Sequence, residues 1–295
     1  MSQHLIRSAR SDREAAAERP NTHDERTSAS GGRSLAAMRG LPRVLTGLLA
    51  LTALTAGCSA AATSDAPAGG AASSAAGASA DHGLSRVLLL GDSVAVGQAL
   101  PMADAFAASG VEFESIASEG GGNVVGPFAE EQWAELPGEI AAAEPAVVIY
   151  QITTYDWGTE EEQRTGYERL LSTVAETGAD LVFVTMPPIE PDDFYRPHMS
   201  ELARTADVAR AVAEDSDGRA HFLDAGAVWG DTYQRTRDGR ADRSTDGIHT
   251  CPQGAARFTD WLLTELAGRY PGFGPAPAEQ WANTGWSADE HYNGC

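Results

Sequence analysis

Three residues have the types that nucleophilic catalysis needs, and they lie near opposite ends of one stretch of chain. Ser93 follows Gly91-Asp92 at the end of the apolar run Val87-Leu88-Leu89-Leu90, ahead of a helix-compatible pattern of Val94, Ala95, Leu100, Met102 and Ala103. Four aliphatic residues in a row are too few for a helix and suit a strand buried on both faces. A strand that stops at a glycine and turns into a helix puts the turn at the carboxyl edge of a parallel sheet, where open α/β sheets hold ligands. A serine there exposes its hydroxyl beside a helix N-terminus, whose unpaired N–H groups favour negative charge. The same place also suits a serine that only caps the helix.

The second segment is Asp246-Gly247-Ile248-His249. Three apart in a turn, the carboxylate can orient the imidazole and stabilise the imidazolium formed when His249 takes a proton from a serine. Asp-x-x-His also serves as a pair of metal ligands, or as a helix cap with a chance histidine. The order along the chain favours the first use: a serine after the first strand, an acid and a base just before the last helix.

The elements between must bring these segments together. Strands are expected at Val111–Ile116, Ala146–Ile152, Asp180–Thr185 and His221–Leu223. Helices are expected at about Val94–Ala108, Glu130–Ala143, Glu160–Glu176, Pro197–Ala213 and Pro252–Leu266. This alternation predicts βα units, and hence a single three-layer α/β/α domain over residues 85–270 with a mainly parallel five-stranded sheet. The tail, residues 271–295, is rich in Pro, Gly and Trp and lacks periodicity, so it needs a tie.

At this point the chain resembles the SGNH, or GDSL-type, serine hydrolases over about residues 85–268. Gly91-Asp92-Ser93 matches the family's first block, and Asp246-x-x-His249, continued by Cys251-Pro252-x-Gly254, matches its last. The resemblance implies a flavodoxin-like sheet, with Ser93 as nucleophile, His249 as base and Asp246 as its orienting acid, and no metal or organic cofactor. It also implies an oxyanion hole from the Ser93 N–H, a glycine N–H after the second strand and an asparagine side chain after the third. Gly122 is favoured for the glycine, with Gly121 not distinguished by spacing. The third block, usually Gly-x-Asn-Asp, reads Thr153-Thr154-Tyr155-Asp156 here, so Asn123, Thr154 and Tyr155 stand as substitutes for the missing asparagine. The implied substrate is a short acyl ester, such as an O-acetyl group on a cell-envelope glycan. The rival uses are acyl transfer to a sugar hydroxyl and a non-catalytic carbohydrate-binding role.

The remainder of the 295 residues concerns where such a domain would work. Residues 1–37 are polar with no periodicity and are expected to be disordered or an extension ahead of a true start at Met38. Over residues 38–57, Arg39 and Arg43 precede the apolar run Val44–Ala56, which has the form of a secretory signal and is too short to span a bilayer comfortably. Leu54-Thr55-Ala56-Gly57-Cys58 resembles the lipobox of bacterial lipoproteins, with Cys58 as the lipidated residue. Residues 58–84, almost wholly Ala, Ser and Gly, read as a flexible tether. Together these predict a domain anchored through lipid to the outer face of a bacterial membrane. With Cys58 set aside, Cys251 and Cys295 form the even pair expected of an exported domain, a disulfide that ties the tail beside His249.

The chain carries 42 Asp and Glu against 21 basic residues, all arginine, a balance that argues against nucleic-acid binding. Arg235, Arg237, Arg240 and Arg243 precede the Asp-x-x-His segment, and salt bridges to the many carboxylates are expected of them ahead of a substrate anion. His198, His221 and His291 read as surface or strand-end residues, while Trp157 and Trp229 suit either a cleft wall or packing.

Overall fold

Val87, Leu88, Leu89 and Leu90 are all buried, and successive residues point into two different cores. That is the behaviour of a strand covered on both faces. The computed structural model describes residues 84–295, so the expected N-terminal extension, the signal segment with Cys58 and the tether through residue 83 lie outside the described residues. The strand β1 (Arg86–Leu90) leads through Gly91-Asp92 directly into helix α1 (Ser93–Ala108). There follow β2 (Glu112–Ser115), α2 (Ala129–Ala143), β3 (Val147–Gln151), α3 (Glu160–Glu176), β4 (Asp180–Val184), α4 (Met199–Glu214), β5 (Ala220–Leu223), α5 (Gly226–Trp229), the short strands β6 (Thr236–Arg237) and β7 (Arg240–Ala241), and α6 (Pro252–Arg269).

The five long strands form one wholly parallel sheet in the order β2-β1-β3-β4-β5. Leu88 and Leu90 pack on the side covered by α2, α3 and α4, with Trp133, Leu136, Tyr167, Leu170 and Val208. Val87 and Leu89 pack on the side covered by α1 and α6, with Met102, Phe106, Phe258 and Leu262. The three-layer α/β/α architecture is therefore as expected. The chain moves from β1 outward to β2 and then back across to β3, so the carboxyl ends of β1 and β3 flank the switch point where a crevice opens.

Element ends follow local chemistry. Thr159 and Glu162 form a reciprocal capping box that starts α3. The helix expected from Pro197 opens instead as a 3₁₀ turn, Arg196–His198, before α4, and α6 continues past Leu266 to Arg269. The stretch before Thr245, expected to be irregular, contains α5 and a β6–β7 hairpin. Its two-residue turn, Asp238-Gly239, has φ of 52° and 75°, the conformation that matches the twist of antiparallel strands. The tail is ordered in three 3₁₀ turns, with Trp281 buried in the core beside α1 and Cys251 bonded to Cys295.

Candidate active site

Ser93 is the first residue of α1, but it does not cap that helix. Asp92 does, accepting the Val94 N–H at 3.0 Å. The other oxygen of the Asp92 carboxylate accepts both the N–H and the hydroxyl of Thr154, each at 2.7 Å. One buried carboxylate thus joins the turn after β1 to the loop after β3. Burial pushes the Asp92 carboxyl above its ordinary value, against the opposing pull of the Thr154 and Val94 bonds. With Asp92 doing the capping, the Ser93 hydroxyl is left free to face His249.

His249 Nε2 lies 2.8 Å from Ser93 Oγ, and His249 Nδ1 lies 2.8 Å from Asp246 Oδ2. The loop that carries this pair is closed at its base by an antiparallel bridge between Arg243 and Thr250, and the Ser244 N–H donates to the His249 carbonyl at 2.9 Å. Asp246 Oδ1 accepts the N–H groups of Ile248 and His249 at 2.7 and 3.0 Å, while Ser244 Oγ donates to Oδ2 at 3.0 Å. Burial pushes the Asp246 carboxyl up, but the His249 bond and the two N–H bonds outweigh it and hold the group down at about 2. It is therefore an anion at neutral pH, bonded to the ring nitrogen opposite the one that faces Ser93.

Arg243 holds this loop from beneath, contrary to its expected role. Its guanidinium is buried and pairs with no carboxylate among the described residues. It donates instead to the carbonyls of Pro188 and Ile248, each at 2.5 Å, and of His249 at 3.3 Å. Burial lowers its pKa to about 10. Arg237 likewise donates to a carbonyl, that of Val228, at 2.6 Å. Trp229 packs under the same loop, stacked on Phe258 with ring centroids 5.8 Å apart, so it serves packing and not a cleft wall.

The glycine loop folds around the carbonyl of Gly91. Ser118 N–H donates to that carbonyl at 3.0 Å, and Gly122, at φ 78°, lies so close that a Cβ there would overlap the Gly91 oxygen. Gly121 has no such approach to the turn that carries Ser93. Among the described residues neither the Ser93 N–H nor the Gly122 N–H has a hydrogen-bond acceptor. Two of the side chains expected as substitutes are engaged elsewhere. Asn123 spends its amide hydrogens on the carbonyls of Val125, at 2.6 Å, and Pro127. The Thr154 hydroxyl is turned to Asp92. Tyr155 stands where the asparagine is expected, its ring in an aromatic group with Phe128, Trp157, Phe194 and Tyr195 at centroid distances of 5.9–6.2 Å. Asp156 is buried beneath them, accepting the hydroxyls of Tyr150 and Tyr167 and the Thr153 N–H. Burial raises its carboxyl to about 7.

No protein-family model matches the chain, and no curated protein matches it. Similar solved structures include a candidate SGNH hydrolase from Slackia heliotrinireducens, 22% identical over 62% of this chain and 99% of that one, with a TM-score of 0.46. An acetylxylan esterase from Geobacillus stearothermophilus is 14% identical over 64% of this chain and 95% of that one, with a TM-score of 0.45. A carbohydrate esterase family 3 protein from Talaromyces cellulolyticus is 14% identical over 63% and 98%, with a TM-score of 0.48. At these values the likeness decides nothing about the site, whose chemistry is read from this chain's own side chains.

Beside Ser93 and His249, Val94 and Ile248 pack with Ile189, Tyr195 and Leu202 in a small apolar cluster edged by Trp157, Met186 and Met199. Trp157 also stacks flat on His198, centroids 3.7 Å apart, at the edge of a cavity of about 680 Å³ near the N-termini of α2 and α3. Neither Ser93 nor His249 lines that cavity. His221 sits on β5, half-buried beside Tyr270, and takes no part in the site. Among the described residues no group of three or more His, Cys, Asp or Glu is placed to hold a metal ion, and no helix is long and apolar enough to cross a membrane.

Proposed function

We propose that this chain is a serine ester hydrolase acting through an acyl-serine intermediate. The observation that carries the reading is the continuous relay from Ser93 Oγ to His249 Nε2 and from His249 Nδ1 to Asp246, both steps at 2.8 Å. His249 takes the Ser93 proton as the hydroxyl oxygen attacks the ester carbonyl, and Asp246 stabilises the imidazolium that results. His249 then returns that proton to the departing alkoxide. Water, deprotonated by the same nitrogen, attacks the acyl-serine, and His249 passes that proton to the departing Ser93 oxygen as the acid is freed. The N–H groups of Ser93 and Gly122 are the backbone donors for the developing oxyanion. The expectation of a short acyl group, and of an O-acetylated glycan as its carrier, rests on the resemblance of the Ser93 and Asp246–His249 segments. The Cys58 segment supports a place at the outer face of a bacterial membrane.

The test is hydrolysis of p-nitrophenyl acetate by the wild type and Ser93→Ala, with a fluorophosphonate inhibitor and peptide mapping of the label. The wild type is expected to hydrolyse the ester, lose activity on labelling and carry the label on Ser93. Equal rates for both proteins, or a label placed elsewhere, would sink the reading.

A further inference from the structure

The end of the chain touches each of the segments that carry the site. On the glycine loop, Glu119 Oε1 lies 2.5 Å from His291 Nε2, and His291 Nδ1 lies 2.8 Å from Asp289 Oδ1. Both ring nitrogens face carboxylates, an arrangement that favours the protonated ring, in which both donate. The Asp289 bond above all, and then Glu119, holds its pKa above the ordinary value. On the nucleophile helix, Pro101 has no N–H to give the carbonyl of Gly97 four residues before it, and the Tyr292 hydroxyl supplies the missing donor at 2.5 Å. On the acid–base loop, the Thr245 N–H donates to the Gly294 carbonyl at 3.0 Å. Gly294 also packs so tightly on Ser244 that a Cβ would overlap Ser244 Oγ, the hydroxyl that donates to Asp246. Cys295 then bonds Cys251, two residues past His249.

We propose that Asp289–Cys295 is a strap that positions the active site. His291 seats the loop of Gly122, Tyr292 seats the helix of Ser93, Gly294 seats the Ser244–Asp246 turn, and the Cys251–Cys295 bond keeps the strap in place. The proposal rests on the serine-hydrolase reading for its kinetic consequence, though not for its contacts. None of these strap residues belongs to the Ser93–His249–Asp246 relay, so all act through the loops they hold. A strap of this kind aligns groups already bound, and its loss should lower turnover far more than affinity. A displacement of the order of 1 Å at the reacting atoms costs about 100-fold in rate.

The experiment compares the full chain with His291→Ala, His291→Gln and the double variant Cys251→Ser/Cys295→Ser. Steady-state kinetics on p-nitrophenyl acetate, fluorophosphonate labelling rates and circular dichroism are measured at one temperature. His291→Ala and the double variant are expected to lose about 10- to 100-fold in kcat, with KM within about twofold, while remaining folded. His291→Gln keeps a donor at the Nε2 position facing Glu119 and is expected to recover most of that loss. Wild-type kcat in folded His291→Ala, or the same loss in His291→Gln as in His291→Ala, overturns the proposal. Should the double variant fail to fold, the His291 pair alone decides. Should the wild type neither hydrolyse the ester nor take the label, the hydrolase reading fails by itself. Amide exchange then judges the strap: faster exchange over residues 118–122 in His291→Ala supports it, and unchanged exchange overturns it.

Discussion

Arg243→Ala should cost this domain about 4 kcal/mol and much of its activity. The guanidinium donates to the Pro188, Ile248 and His249 carbonyls, two bonds at 2.5 Å and one at 3.3 Å. Two short charge-assisted bonds and one long one contribute about 5 kcal/mol over their hydrated alternatives. Keeping the charge inside offsets about 3 kcal/mol of this, since burial lowers the pKa from 12.5 to about 10. Removing a long side chain that is only 2% exposed adds about 2 kcal/mol for lost packing. Arg243→Met keeps the packing and should cost about 2 kcal/mol, the bonds less the burial penalty. Urea unfolding measures both: the midpoint should fall with the slope unchanged, and Ala should fall about twice as far as Met. Because the carbonyls belong to the residue before His249 and to His249 itself, kcat on p-nitrophenyl acetate should fall in both variants, by ~10-fold or more. A loss below about 1 kcal/mol in Arg243→Ala, with wild-type kcat, would mean that the loop stands without the guanidinium and that its three carbonyls find other donors.

Gly122→Ala forces a methyl onto the Gly91 carbonyl at a backbone φ of 78°, so kcat should fall ~10²–10³-fold as a backbone donor leaves the hole; a rate within threefold of wild type would place the donor elsewhere. Asp156, raised by burial to about 7 from 3.8, contributes its stability in the protonated form, fully present below about pH 4 and lost as pH rises through about 7. Asp156→Asn removes that dependence, so the variant should gain stability relative to wild type between pH 5 and pH 8; parallel urea midpoints across that range would refute the assignment.

The fold, and the residue types at the two ends of the relay, are legible in the sequence. Periods of burial declare themselves locally, which is why the run Val87–Leu90 announced a strand and the alternation after it announced a parallel sheet. Ser93 and His249 stood out by type and by their order along the chain, and their pairing was what the resemblance to SGNH hydrolases implied. With Cys58 set aside on its resemblance to a lipobox, the cysteine count left Cys251 and Cys295 as a pair, and the structure bonds them.

The partners of single polar side chains were not legible, because a hydrogen bond is satisfied by any acceptor that folding brings near. Asp92 looked like part of a motif, and only the tertiary structure shows it capping α1 and gripping Thr154 62 residues away. Arg243 counted as one of four arginines expected to pair with carboxylates, yet it is buried on backbone carbonyls. Asn123 and Thr154 had the right chemistry for an oxyanion donor, but closer groups claim them. His291 and Tyr292 read as residues of a featureless tail, and their roles depend on Glu119 and on a carbonyl left open by Pro101. Residue types and local spacing were enough to say which atoms could react. Which neighbours hold those atoms in line was settled by contacts between segments far apart in the chain, where packing, and not pattern, chooses the partner.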